Sequence, residues 1–196
     1  VSNHDPVIRK RVTYFCDRYG LHHHDVRNGK SHDLIIQSTI LARIFMLICD
    51  TGSSQKRVPE FTYLAPDEFI TGMLDGYFSG NGSISYKDGS ISLSSESKEL
   101  ITGISALLSY FGIFGCMSSH ERIKVTHILR ISNGWVQKFY ERIKITHGPK
   151  QQHNNYIYSR DRSQEKFPDD RDVFFDTVVS VEYVMGTTEW VYDLTV

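Results

Sequence analysis

The sequence predicts an α+β fold in which helices are separated by strands. Apolar residues recur at helical spacing in several segments, and alternating polar and apolar residues fill stretches between them. The 196 residues are 40% hydrophobic and 12% aromatic, which is enough apolar material for one substantial core. This composition excludes a disordered or fibrous chain.

The charge is balanced overall but not along the chain. The net charge is −1, yet residues 120–171 carry +5 and residues 172–196 carry −5. A basic region beside an acidic one predicts two surfaces with different partners, or solvated faces that merely differ. The three cysteines fit no zinc spacing, which favours a reduced, intracellular chain, and no apolar run predicts a membrane span.

The first quarter of the chain predicts a helix, a strand and a second helix. Pro6 opens an amphipathic segment that ends at Gly20. A turn at Asn28-Gly29 then precedes a strand over 33–37, and the apolar run 39–49 predicts a buried helix. The run His22-His23-His24-Asp25 is interpreted as a solvated loop rather than a metal site, because adjacent strand residues face opposite sides.

The following segment predicts a longer helix, a hairpin and further elements. Pro66 opens a helix that ends near Gly82, and two alternating stretches on either side of Asp88-Gly89 predict paired strands. The remaining predicted elements are a helix over 98–111, a strand over 122–131 and a helix over 134–143.

The order helix, strands, helix therefore occurs twice, with an offset of 92 residues. Residues 15–21 align with residues 107–113, where each helix ends at a glycine. This similarity predicts a repeat in which the first copy lacks the helix and hairpin of residues 66–94, so that the chain begins inside a unit. Chance similarity between two helix ends is the alternative.

The stretch Leu74-Asp75-Gly76-Tyr77-Phe78-Ser79-Gly80-Asn81-Gly82 resembles the LAGLIDADG motif of homing endonucleases. Its flanks, residues 56–61 and 65–69, look like the second motif region of endonucleases embedded in inteins. The resemblance covers about residues 1–147 and implies an αββαββα endonuclease unit in 51–147, preceded by a partial repeat in 1–50. The activity it implies is Mg²⁺-dependent cleavage of both strands of a long DNA site.

The resemblance also implies roles for the residues of the motif helix. Gly72, Gly76 and Gly80 would form the interface with a second such helix. A carboxylate at the penultimate motif position would bind the metal, but Asn81 stands there, and its amide supplies no charge. Asn81 and Gly80 are the candidate metal ligands, and Asn81 and Lys124 are candidate catalytic residues in an enzyme whose cleavage is in doubt.

The hairpins would bind DNA in the family architecture. Polar and basic side chains alternate with apolar ones along each predicted strand, which suits a sheet lying in a major groove. A sheet with one wet face and no ligand is the alternative. The candidate DNA-binding residues are Ser83, Ser85, Lys87, Ser90, Ser92, Arg122, Lys124, Thr126 and Arg130.

The last residues are similar to the block that precedes the C-terminal splice junction of inteins. Residues 173–196 predict the first strands of a Hint-type splicing domain, in which Asp193 would assist proton movement, and residues 148–172 predict a linker. The implied partners are double-stranded DNA and the missing N-terminal part of the same intein. A DNA-binding module without cleavage, or a structural insertion that supports splicing, is the alternative function.

Overall fold

The computed structural model describes residues 1–29, 31–85, 87–121, 123–132, 134–147, 150 and 180–181. The chain divides into a compact unit of residues 1–166 and a second unit of residues 167–196. The predicted linker and the predicted splicing-domain strands, with Asp193, lie outside the described residues apart from Lys150, Ser180 and Val181.

The first part of the chain forms two helices on either side of a hairpin. The elements are α1 (Pro6–Arg18), β1 (His22–Asn28), β2 (Ser31–Gln37) and α2 (Thr39–Cys49). Asp5 caps α1 by accepting from the backbone N–H groups of Val7 and Ile8. The histidine run belongs to β1, so the prediction of a loop there was wrong. The strand forms because its backbone pairs with β2 over its whole length in antiparallel orientation, and the polar side chains gave no sign of this pairing.

The second part of the chain contains the larger sheet. A 3₁₀ helix (Glu60–Leu64) precedes α3 (Asp67–Asn81), β3 (Gly82–Ile84), β4 (Ile91–Ser95), α4 (Lys98–Tyr110), β5 (Cys116–Glu121), β6 (Val125–Ile131) and α5 (Gly134–Arg142). In the described residues β3, β4, β6 and β5 lie side by side in that order, all antiparallel. Strand β6 begins at Val125, three residues later than predicted, and β5 was not predicted.

One face of this sheet packs on the helices. Leu93 and Leu129 are fully buried in a cluster that also contains Phe78 of α3, Ile104 of α4 and Phe139 of α5. The rings of Phe78 and Phe139 meet edge to face with their centroids 4.7 Å apart. Alternation along the strands therefore leaves the opposite face of the sheet in contact with solvent.

Helices α1 and α4 end with the same backbone geometry. The Leu21 N–H donates to the Cys16 carbonyl at 2.8 Å, and the Ile113 N–H donates to the Leu108 carbonyl at 3.0 Å. The intervening glycines, 92 residues apart, both adopt a left-handed conformation, with φ of 63° and 67°. Two helix ends at this spacing thus form one and the same C-terminal motif.

Helix α2 differs sharply from α5 in its surroundings. None of the residues of α2 is buried, and Ile40 and Leu47 are 75% and 77% exposed. In α5, by contrast, Val136 and Phe139 are buried. The prediction that α2 is buried was wrong for the described residues, because none of the elements described there covers its apolar side chains.

Candidate nucleic-acid interface

The solvent face of the four-stranded sheet carries a row of polar side chains. Ser83 of β3 pairs with Ser92 of β4, which pairs with Arg130 of β6, which in turn pairs with Cys116 of β5. Ser83, Arg130 and Cys116 are exposed and Ser92 is half-buried. Thr126 lies four residues from Arg130 on the same strand and so on the same face. Four of the predicted DNA-binding residues thus share one surface, which we call the sheet face.

The turn between β3 and β4 places a carboxylate against this surface. Arg130 forms an ion pair with Asp88, whose other oxygen accepts from the backbone N–H and the hydroxyl of Ser90 at 3.1 and 2.8 Å. Hydrogen bonds from the hydroxyl of Ser85 and from Ser90, with the nearby guanidinium, hold the pKa of Asp88 well below its usual range. Ser90 is buried, so it belongs to the turn and not to the sheet face.

A second predicted cation is also paired. The Lys124 ammonium donates to both oxygens of Glu96, at 3.0 and 3.2 Å, and the Ser53 hydroxyl donates to the same carboxylate at 2.6 Å. Lys87 is exposed in the turn after β3, whereas Arg122 lies outside the described residues. Carboxylates therefore already accompany two of the predicted DNA-binding cations, Arg130 on the sheet face and Lys124 just before β6.

The glycine positions of α3 form an open surface. A Cβ placed at Gly72, Gly76 or Gly80 would have no neighbour within 4 Å among the described residues. The role of these glycines in a helix interface stays a prediction. Asn81, at the end of this helix, is exposed. Burial raises the pKa of Tyr77, and the side chain of Asn81 lowers it by less.

The residues at the end of α3 do not fit a divalent metal. Asn81 offers one neutral oxygen, whereas Mg²⁺ is held mainly by carboxylates and water. In the described part of the chain no three His, Cys, Asp or Glu side chains come together as a possible metal site. Lys150, which sequence reasoning missed, donates from its ammonium to the carbonyls of Phe78 and Ser79 at 2.9 and 2.7 Å. A positive charge thus lies next to Gly80 and Asn81, the expected metal ligands.

The acidic residue within the motif faces inward. Asp75 is buried and accepts from the Ser79 hydroxyl at 2.7 Å, from the Thr146 N–H at 2.6 Å, and from the Arg11 guanidinium at 3.1 Å. The Thr146 hydroxyl also donates to it. Asp75 therefore joins α1, α3 and the segment after α5, and no local pattern in the sequence indicated the residues that it binds.

Residues 68–144 match the LAGLIDADG-like domain. They contain all four strands of the sheet, most of α3, and all of α4 and α5. The LAGLIDADG-like domain thus includes the sheet face and the end of α3. In the described part of the chain no helix is long and apolar enough to cross a membrane.

The fold extends the likeness beyond this domain. The homing endonuclease I-DmoI, in a crystal structure with DNA and calcium, superposes with a TM-score of 0.61 at 14% identity, over 80% of this chain and 81% of I-DmoI. Most of this chain therefore shares the fold of that endonuclease.

Three curated relatives carry a similar segment. One is the DNA-directed RNA polymerase subunit Rpo1C of Methanocaldococcus jannaschii, 37% identical over 150 residues, or 74% of this chain and 17% of that protein. A probable translation initiation factor IF-2 of the same organism is 24% identical over 88% of this chain and 16% of its own length. A DNA polymerase of Thermococcus sp. is 33% identical over 45% of this chain and 5% of that protein. The chain thus spans about a sixth or less of these relatives.

Proposed function

We propose that this chain is a sequence-specific, double-stranded DNA-binding module of the homing-endonuclease type. The observation that carries the proposal is the row Ser83, Ser92 and Arg130 on the solvent face of a sheet. The sheet belongs to a fold shared with I-DmoI, which has been crystallised with DNA.

The chemistry of the row suits base readout. Serine hydroxyls can donate or accept, and an arginine guanidinium can bind the O6 and N7 atoms of guanine together. A two-stranded ribbon fits the major groove, so the paired strands β4 and β6 would bring Ser92 and Arg130 to the base edges. Lys87, exposed at the β3–β4 turn, would contact phosphates, and a DNA partner implies an intracellular location.

We expect this chain to have lost the DNA cleavage that the resemblance to homing endonucleases implies. Metal-dependent cleavage needs a charged ligand beside the scissile phosphate, and Asn81 supplies none. Lys124, the other candidate catalytic residue, is paired with Glu96. We therefore propose that the chain binds DNA and that the motif helix, residues 67–81, does not support cleavage.

Binding should depend on the ion pair at the sheet face. We expect Arg130→Gln to weaken binding to sequences selected from a random duplex pool about tenfold, because a contact to a base edge is lost. We expect Asp88→Asn to strengthen binding about threefold or more, because Arg130 no longer has a competing carboxylate. Fluorescence anisotropy at one fixed salt concentration measures both changes.

Arg142→Gln is the matched control, since it removes one exposed positive charge from α5, away from the sheet face. It should leave the dissociation constant within about twofold of the wild type. Equal weakening by Arg130→Gln and Arg142→Gln would mean that only general charge matters. Selection of no sequence at all would overturn the proposed function.

A second function, support of protein splicing, is favoured by the nature of the relatives. A polymerase subunit, an initiation factor and a DNA polymerase have unrelated activities, yet each matches this chain over a small share of its length. An inserted element present in different host proteins accounts for this distribution, and an intein is such an element. In this proposal residues 1–50 and 51–147 are the endonuclease repeats, residues 148–172 the linker and residues 173–196 the first splicing strands, with Asp193 in its predicted role.

The equal helix ends 92 residues apart support the repeat. The apolar side chains of α2 are not buried, which supports the proposal that a helix equivalent to α3, supplied by the N-terminal part of the same intein, covers them. Mass spectrometry of the native gene product tests the insertion: we expect a host protein whose flanking segments are joined by a peptide bond and lack this chain. Recovery of only the uninterrupted longer polypeptide would contradict splicing without affecting the DNA-binding proposal.

A further inference from the structure

We propose that the ammonium of Lys150 replaces the divalent cation at the C-terminal end of α3. DNA binding by this chain is then independent of metal, a consequence that rests on the function proposed above. The exclusion of metal itself rests on the contacts between Lys150 and the end of α3, and not on that function.

The position of the ammonium is defined by two backbone acceptors. It donates to the Phe78 carbonyl at 2.9 Å and to the Ser79 carbonyl at 2.7 Å. These carbonyls belong to the last turn of α3, which ends at Asn81, and the Gly82 N–H also donates to Phe78. The last turn of a helix carries partial negative charge, and a cation there is favourable. The ammonium therefore binds immediately before Gly80 and Asn81, the two candidate metal ligands.

Two described residues shortly before Lys150 are also bound to α3. The Thr146 N–H donates to Asp75 at 2.6 Å and to the Ser79 hydroxyl oxygen at 3.0 Å, and the His147 N–H donates to the same hydroxyl oxygen at 3.2 Å. These bonds anchor residues 146 and 147 one turn before the end of the helix. Lys150 follows three residues later in the chain, and two backbone carbonyls of α3 hold its ammonium.

The residues at the C-terminal end of α3 are consistent with a cation supplied by the chain itself, the Lys150 ammonium. Asn81 is neutral, so no carboxylate at the motif position attracts a metal ion. The carbonyl oxygens of Phe78 and Ser79 are already acceptors of charged hydrogen bonds. A divalent ion at Gly80 and Asn81 would be repelled by the ammonium that occupies the preceding carbonyls. Restoring an acid at position 81 alone should therefore not restore a good metal site.

Manganese binding to four forms of the full chain tests this inference. The forms are the wild type, Asn81→Asp, Lys150→Met and the double variant, and the readout is the electron paramagnetic resonance signal of free Mn²⁺. We expect the double variant to bind Mn²⁺ at least about tenfold more tightly than Asn81→Asp, because the repulsive charge is gone. Equal affinity of these two variants would overturn the role of Lys150.

Two further variants separate the charge from the fold. Lys144→Met, combined with Asn81→Asp, removes one exposed positive charge six residues earlier and should leave the Mn²⁺ affinity of Asn81→Asp unchanged. Lys150→Arg, also combined with Asn81→Asp, keeps the positive charge and should leave the Mn²⁺ affinity of Asn81→Asp unchanged. This result does not depend on the stability of Lys150→Met. Tighter Mn²⁺ binding with arginine at position 150 would contradict the charge argument.

DNA anisotropy of the wild type, with Mn²⁺ or with a chelator, completes the experiment. We expect equal affinity in the two buffers, and a strong requirement for Mn²⁺ would overturn the inference. Failure to bind DNA in either buffer would instead overturn the proposed function, while the comparison of Mn²⁺ affinities would still decide the role of Lys150.

Discussion

Replacement of Phe78 by alanine should lower the free energy of unfolding by about 3–5 kcal/mol, the usual effect of removing a large aromatic side chain from a core. Phe78 is fully buried and its ring meets Phe139 edge to face. It connects the motif helix to α5 and the sheet, so no neighbour can fill the cavity without moving one of these elements. Urea denaturation followed by circular dichroism measures the change.

Phe69→Ala is the control for this experiment. Phe69 lies on the same helix but is 47% exposed, and its ring is tilted against that of Phe61. Its loss should therefore cost about 1 kcal/mol or less. Similar losses from Phe69→Ala and Phe78→Ala would show that the core does not lie between α3 and α5.

Neutralising Asp75 should lower the free energy of unfolding nearly as much as Phe78→Ala does. We expect Asp75→Asn to cost about 3 kcal/mol, because the new amide group would face donors that now share a carboxylate. Most of this loss should come from Ser79 and Thr146, since the Arg11 side chain is 67% exposed and its ion pair is screened by solvent. The same urea titration gives the value.

Glu68→Gln serves as the comparison, because it neutralises an exposed acid in the first turn of the same helix. Only the interaction with the helix dipole is lost there, which amounts to about 0.3–1 kcal/mol. An Asp75→Asn variant as stable as Glu68→Gln would mean that the buried network contributes little. Hydrogen exchange at Thr146 and His147 should also accelerate in Asp75→Asn, since their N–H groups lose their acceptor or its alignment.

The local elements of this fold were accessible from sequence because local chemistry determines them. Asp88-Gly89 is one example: it lies in the connection between β3 and β4, as predicted, and Gly89 has the left-handed φ of 72° that tight turns favour, although β3 already ends at Ile84. Alternation likewise placed Ser83 and Ser92 on the sheet face, since side chains point to opposite sides of a strand in turn. The α+β class followed from these two periodicities.

The features that were missed depend on residues far apart in the sequence. The apolar pattern of α2 predicts a partner surface but cannot say whether that surface is present, and in the described residues it is not. The pairing of Arg130 with Asp88 spans 42 residues, and the bond from Lys150 to Ser79 spans 71. Such contacts arise only when the sheet and helices assemble, so spacing within one element gives no sign of them.

The position of Cys116 has a practical consequence for chemical labelling. Its side chain is exposed beside Arg130 on the sheet face, whereas burial raises the pKa of Cys16 and of Cys49 and so disfavours their reactive thiolates. Of the three thiols in the chain, an alkylating reagent will therefore modify that of Cys116 first. The native sequence thus carries its own footprinting probe, because a duplex lying across the sheet would shield this sulfur from the reagent.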